Sequence, residues 1–423
     1  MKIEKESYEC LLCQNRRVSN IISFPRTPLA NKFISIADQS SNSQSFYPLD
    51  LGLCDFCGHI QLTHIVPPHV LFEDYPYVSN SNTGTETRFS LLADEFDSFF
   101  SNLEGKFAIE IGSNDGFLLK LLQGKGWRVL GIDPAEPAAE IANKAGIPNI
   151  CDFFSESIAS QILSAHGNPH LIIANNVLAH TDQMNDIFRG ISHLMSKDSI
   201  LVMEFSYALD IFEKLLVDTI YHEHMSYHQI TSLSIFLERF DLHIERAVRF
   251  TAHGGSARLY IRKGKSTKQG HSVKLLIDME KKIGLSTAKS WELFASRIED
   301  LRNSLQGLIA NLKKDNKTIA GYGIPAKFST LFHVLELNEN DFAYFVDDNP
   351  MKVGMYAPGT NKPIYPIEKL EVDRIDYVFL FSWNYESEIS SKIWNRDLCD
   401  VIRCFTRCLH LVVNRHGRFY TSL

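Results

Sequence analysis

The chain has no run of apolar residues approaching the ~20 needed to cross a bilayer, which leaves a membrane no segment to hold. Its opening, Met1-Lys2-Ile3-Glu4-Lys5-Glu6, lacks the apolar centre of an export signal. Positive charge is not in excess: 43 Lys and Arg against 50 Asp and Glu give a net charge of −7. That balance argues against a general nucleic-acid binder. Two catalogue patterns are missing as well. The glycine loop at 112–116 is not G-x-G-x-x-G, and the histidine-rich loop at 222–224 is not the H-E-x-x-H of zinc proteases. With eight cysteines and no export signal, the thiols are expected to be reduced or metal-bound, and the protein cytoplasmic. What remains is an ordinary globular composition, 44% hydrophobic and 22% charged, in 423 residues, enough for two or three domains.

Residues 107–134 organise the rest. Phe107-Ala108-Ile109-Glu110-Ile111 reads as a buried strand, Gly112-Ser113-Asn114-Asp115-Gly116 as a tight loop, and Phe117-Leu118-Leu119 as the start of a helix. A second strand over 128–132 ends on Asp133-Pro134. Strand, glycine loop, helix, strand and acid form a nucleotide-binding βαβ unit, in which glycines admit the ligand and the acid accepts from ribose hydroxyls. The form E-I-G-S-N-D-G resembles the first motif of S-adenosylmethionine-dependent methyltransferases, whose ligand needs no pyrophosphate cradle. The α/β alternation continues with strands at 149–154, 171–174 and 199–205. Ligands of a parallel sheet sit at the carboxyl ends of strands, where Asp152, Asn175 and Asn176 fall; Asp152 is expected near the adenine, the asparagines near the reacting methyl.

Cys10-x-x-Cys13 and Cys54-x-x-Cys57 are two knuckles that bring four thiolates together, as tetrahedral zinc prefers. The expectation is a closed structural site with little bearing on the reaction. A second polar cluster, Asp218-Thr219-Ile220-Tyr221-His222-Glu223-His224-Met225-Ser226-Tyr227, suits general acid-base work, since histidine titrates near neutrality and tyrosine can donate to an oxyanion. His253-Gly254-Gly255-Ser256 is a glycine turn expected to line the same pocket. Residues 268–314 read as a helical connector, with Ile298, Leu301, Leu305, Leu308 and Leu312 on one face. A second βαβ pattern then carries Gly321-x-Gly323-x-x-Ala326-Lys327, where free helix amides and Lys327 suit a phosphate. The competing readings are an NAD(P)-dependent oxidoreductase built on this loop, a zinc-ribbon methyltransferase acting on a different small molecule, and a zinc-ribbon binding protein carrying a degenerate methyltransferase fold.

Taken together, the zinc knuckles, P-L-A-N-K-F, Y-P-Y-V-S, E-I-G-S-N-D-G, N-V-L-A-H, Y-H-E-H-M-S-Y, H-G-G-S and G-Y-G-I-P-A-K with D-D-N-P resemble, in fixed order, the nucleotide-sugar C-methyltransferases that make branched deoxysugars. The likeness spans nearly the whole chain and departs after Ile393. It implies an α/β protein with a zinc-binding domain at 1–68, a Rossmann-like methyltransferase domain at 69–266, and a connector with a C-terminal Rossmann-like domain at 267–423. The implied cofactors are S-adenosylmethionine and zinc, and the implied substrate is a thymidine-diphosphate-linked 4-keto-deoxyhexose methylated at carbon 3. Neither nucleic acid nor membrane is an expected partner, and the protein is expected to be a monomer or weak homodimer. His224 matches the family's catalytic histidine, with Glu223 orienting it or modulating its charge, and Tyr221 and Tyr77, or Tyr75 in place of Tyr77, contacting the sugar and its developing oxyanion. Which of these takes the hydrogen and which steers the oxygen stays open at this point. His180, His253, Ser256 and Lys327 are expected on the substrate side, and Glu110, Gly112, Asn114, Asp115, Gly116, Asp133 and Pro134 around the donor.

Overall fold

The computed structural model describes residues 8–35, 44–67, 70–71, 83–266, 270–396, 398–403, 412–413 and 419–420. Tyr77, and Tyr75 beside it, lie outside these residues. The fold is mixed α/β with three main sheets. Near the N-terminus, β1 (Val18–Pro28), β2 (Ile34–Ser35), β3 (Phe46–Cys54) and β4 (Ile60–Leu62) follow one another; β1, β3 and β4 pair antiparallel. Each C-x-x-C pair sits on a turn at the end of this small sheet.

A helix over Thr83–Phe99 leads into the central sheet. Its strands are β5 (Phe107–Ile111), β6 (Arg128–Ile132), β7 (Asn149–Ile150), β8 (Leu171–Asn175) and β9 (Ile200–Ser206). A two-residue strand, β10 (Ser226–Tyr227), leaves this sheet, and β11 (Leu242–Phe250) and β12 (Ser256–Lys263) rejoin it. The order is β11-β12-β9-β8-β5-β6-β7. Strands β5 to β9 are parallel where they pair; β11 and β12 are antiparallel. Helices cover both faces, so β5 is buried throughout and Leu171, Ile172, Ile173 and Ala174 of β8 are fully buried, which is why these strands read as continuous apolar runs. Chain direction across the sheet reverses between β5 and β8, opening a crevice at their carboxyl ends.

The connector is two helices, His271–Ile283 and Ala288–Lys314, divided at Gly284, whose φ of 69° ends the first. The second buries Trp291, Phe294, Ile298, Leu305, Leu308 and Leu312, with Leu301 half-buried at its edge. The last sheet contains β13 (Ile319–Tyr322), β14 (Phe345–Val346), β16 (Ile364–Tyr365), β17 (Tyr377–Leu380), β18 (Asp400–Arg403), β19 (Val412–Val413) and β20 (Phe419–Tyr420). The remaining strand, β15 (Met355–Tyr356), pairs instead with β2 near the N-terminus. One apolar cluster runs from Cys10 and Leu51 through Phe205 and Trp291 to Phe345 and Ile402, so the three regions share a core. No helix among the described residues is long and apolar enough to cross a membrane.

Candidate active site

The loop after β5 is shaped by packing. Gly112 has φ 69°, and a Cβ there would stand 2.7 Å from Val177 Cγ2, on the loop that follows β8. Asn114 (φ 50°) and Gly116 (φ 73°) continue the curl. Asp133, at the end of β6, clamps it: Oδ2 accepts from the Asn114 amide at 2.8 Å and Oδ1 from the Ala135 amide at 2.9 Å. Burial raises the Asp133 pKa while those two amides oppose the shift. Pro134 follows it into the next helix, and its carbonyl lies 3.8 Å from Cys151 Sγ. Asp115 is buried and accepts from the Phe117 amide at 3.3 Å.

Beneath the loop, Glu110 is buried and its Oε2 has no partner among the described residues. Burial, then the carboxylates of Asp115, Asp133 and Glu204, push its pKa well above the ordinary value. Across the crevice, both side-chain polar atoms of Asn175 are buried without a partner, and Asn176 (φ 54°) donates its amide to the Glu204 carbonyl at 2.8 Å. Asp152 is exposed after β7 and accepts from the Phe153 amide at 2.7 Å; Phe153 is 55% exposed beside it. Four carboxyl groups and several orphaned polar atoms around one glycine loop suit a cationic ligand with a polar, hydrogen-bonding outline.

The histidine loop is a tight turn rather than a strand, closed by the His224 amide on the Tyr221 carbonyl at 2.9 Å. His224 Nδ1 lies 2.9 Å from the Thr219 carbonyl. A carbonyl only accepts, so Nδ1 carries the proton. Nε2 lies 3.1 Å from the Tyr221 hydroxyl, which then donates to it. The His180 ring meets His224 edge-on at 4.8 Å. Burial first, then His180 and Lys327, holds the His224 pKa well below the ordinary value, so the ring is neutral and Nε2 keeps its lone pair, turned to the Tyr221 hydroxyl. The group that fixes the ring is therefore the Thr219 carbonyl, where the sequence pointed to Glu223; Glu223 is itself buried in the same turn. His222 faces the other way, its Nε2 3.2 Å from the Pro48 carbonyl.

The remaining candidates fall around this pair. Lys327 reaches back from the last sheet to Asp218 Oδ2 at 3.4 Å and Thr219 Oγ1 at 3.3 Å, rather than standing over its own helix as a phosphate ligand. Trp383 Nε1 donates to the same Asp218 oxygen at 2.8 Å. His253 (φ 53°) opens to solvent in the glycine turn beside Gly254, where a Cβ would strike Trp383. Ser256 is buried and donates to the Ala252 carbonyl at 2.9 Å, so its hydroxyl holds the turn instead of lining the pocket. Asp218 and Thr219 stood in the polar cluster without an assigned role, and Trp383 escaped the sequence reading as a site residue; the Thr219 contact is through backbone and leaves no signal in residue type. The second glycine loop is occupied by its own chain: Asp347 Oδ2 accepts from the Ile324 amide at 2.7 Å and from Lys352 Nζ at 3.1 Å. An acid spent in this way is not open to a dinucleotide ribose.

At the N-terminus the Sγ atoms of Cys10, Cys13, Cys54 and Cys57 all lie within 4.8 Å of one another, with Cys10–Cys57 and Cys13–Cys54 at 3.6 Å. Sulfurs about 2.3 Å from a tetrahedral zinc stand at about this separation, so the four fit the metal.

Family models match in series: a zinc binding domain over residues 10–72, a methyltransferase domain over 85–247 and a C-methyltransferase C-terminal domain over 251–396. The C-methyltransferase NovU of Streptomyces niveus is 29% identical over 382 residues, covering 90% of this chain and 91% of that protein. The three models fall in order on this one chain, and the protein is an S-adenosylmethionine-dependent C-methyltransferase. Solved structures that resemble part of it include magnesium protoporphyrin IX methyltransferase (ChlM) of Synechocystis PCC 6803 with bound SAM, 15% identical over 43% of this chain and 80% of that one at a TM-score of 0.33. Another is an S-adenosylmethionine-dependent methyltransferase of Clostridium acetobutylicum ATCC 824, 12% identical over 47% and 96% at 0.34. The cofactors of the C-methyltransferase are S-adenosylmethionine and zinc. The acid-rich crevice suits the donor's sulfonium and ammonium charges, and the four thiolates suit the metal. A small-molecule acceptor is consistent with this activity.

Proposed function

We propose that this C-methyltransferase methylates carbon 3 of a nucleotide-linked 4-keto-deoxyhexose, carried on thymidine diphosphate, by way of an enolate. The observation that carries the reading is the His224 ring, neutral, fixed through Nδ1 on Thr219, with Nε2 facing the Tyr221 hydroxyl. Methylation at carbon requires a carbanion-like centre, and a 4-keto group acidifies the hydrogen on carbon 3. His224 Nε2 takes that hydrogen as a proton, and the C–H electron pair moves into the enolate. Tyr221 turns its hydroxyl toward the developing oxyanion, where a preorganised donor counts most. S-adenosylmethionine, when bound, supplies the electrophilic methyl that the enolate carbon takes up. Glu110, Asp133, Asn175 and Asn176 hold the donor, with Asp152 at its adenine end; Lys327 and His253 bound the sugar-nucleotide side. A cytoplasmic location fits such a substrate.

His224→Asn keeps the approximate size but cannot take a proton near neutrality, so turnover should fall ~100- to 10,000-fold. Donor affinity by calorimetry should stay within twofold. Exchange of the carbon 3 hydrogen with solvent deuterium, followed without donor, should vanish with it. A variant that methylates a thymidine-diphosphate-linked 4-keto-deoxyhexose at the native rate refutes the assignment. A variant that fails to methylate yet still exchanges the hydrogen moves the base to Tyr221. A wild-type protein that exchanges no hydrogen from that sugar while binding the donor refutes the substrate class in favour of another small molecule.

A further inference from the structure

The zinc module is welded to the turn that carries His224. Strand β10, two residues beyond that histidine, joins the N-terminal sheet: Ser226 pairs with Gln61 and Tyr227 with Ile60. The Leu62 amide donates to the Met225 carbonyl at 2.9 Å, His59 Nε2 lies 3.2 Å from Ser226 Oγ, and Gln229 Nε2 donates to the Gly58 carbonyl at 2.7 Å. One residue spans the remaining gap to the metal. Gln61 is 2% exposed; its Oε1 accepts from the Leu11 amide at 2.8 Å and its Nε2 donates to the Glu9 carbonyl at 3.0 Å, bracketing Cys10. In the strand ladder it stands opposite Ser226. The first knuckle, Gln61, β10 and His224 thus form an unbroken chain of contacts.

We propose that Gln61 is a positioning residue, carrying the rigidity of the zinc knuckles into the His224 turn so that Nε2 is held on its target. The inference rests on the acid-base reading of His224. A zinc site of this kind does no chemistry, yet the rate depends on the backbone it braces, because small misplacements of a reacting group are costly. The Met225 and Ser226 amides also donate to the Ala179 carbonyl, at 2.8 and 3.2 Å, on the loop after β8, but the side chain of Gln61 bonds only within the N-terminal module.

Gln61→Leu in the full-length, zinc-loaded enzyme keeps the approximate volume and removes the side-chain hydrogen bonds to Leu11, Glu9 and Leu62. The expected result is one zinc per chain, kcat lowered by about 10- to 100-fold, and both KM for the sugar nucleotide and donor affinity within twofold. Amide hydrogen exchange across residues 219–228 should quicken. Gln61→Glu, which can still accept from Leu11, should recover part of the rate. A zinc-replete Gln61→Leu enzyme with native kcat, or with native exchange across 219–228, overturns the proposal. Should Gln61→Leu lose its metal, Ser226→Ala cuts the His59 contact on the loop side, away from the knuckles; native kcat or exchange there is equally fatal. Exchange is read independently of the chemistry. A loosened turn with native rate, in an enzyme that His224→Asn inactivates, refutes positioning. A fully active His224→Asn refutes the acid-base reading instead.

Discussion

A carboxyl group buried among three others keeps its proton until a cation arrives. Glu110 is in that position, with Oε2 unpartnered among the described residues and its pKa raised first by burial, then by Asp115, Asp133 and Glu204. The sign follows directly. Its folded pKa lies above the ordinary 4.5, so the protonated form persists at pH values where a free glutamate is ionised. A sulfonium ligand favours the ionised form, so wherever the protonated form is populated donor binding expels a proton, and affinity rises with pH up to the raised folded value, by at most about tenfold per unit. Calorimetry in buffers of different ionisation enthalpy reads the release directly. Glu110→Gln should flatten the pH dependence; a wild-type affinity independent of pH would show that Glu110 does not face the charge. Neutral His224 is the counterpart on the acceptor side. The types of both residues were legible in E-I-G-S-N-D-G and Y-H-E-H, but their protonation states were not, because burial and neighbouring charges set those.

At the scale of elements, short motifs were read well. The strand, glycine loop, helix and strand of residues 107–132 occur where the pattern put them, since periodicity and glycine placement are local properties. Asp133, expected from the sequence as a ribose acceptor, holds on each oxygen a backbone amide of the loop or of the following helix. Asp133→Asn keeps one acceptor and places an amide against a backbone N–H, so donor affinity should fall about tenfold or more, with the acceptor site intact. Calorimetry showing native affinity would remove Asp133 from the donor site. The zinc knuckles behave as one element split across 41 residues, Cys13 to Cys54. Purified protein should carry one zinc per chain, and Cys54→Ser should lose it with a lowered Tm. Retention of one tightly bound zinc by that variant would contradict a four-sulfur site.

For the whole molecule, the shared core means that no region is indifferent to the others. Several histidines lie inside it in neutral form: burial pulls His180, His222 and His228 to about 4. Folded values below the unfolded 6.5 mean that the unfolded chain binds more protons between about 4 and 6.5. Stability is therefore full above that window and lost as pH falls through it, by up to about 1.4 kcal/mol per group per pH unit. Scanning calorimetry should show Tm dropping between pH 7 and 5; an unchanged Tm would mean these rings are solvated. The sequence by itself determined the chemistry available: a donor loop with its acid, four thiolates in two knuckles, a neutral-range base beside a tyrosine, and the α/β alternation that presents them. Each is written in residues a few positions apart. Tertiary structure alone decided how those parts bear on one another. The Thr219 carbonyl fixes His224, Lys352 and the Ile324 amide close off Asp347, and His59 meets Ser226 across 167 residues of chain. Such contacts arise from packing of distant surfaces, which no spacing of residue types encodes, and they turn a zinc module read as remote from the reaction into part of its frame.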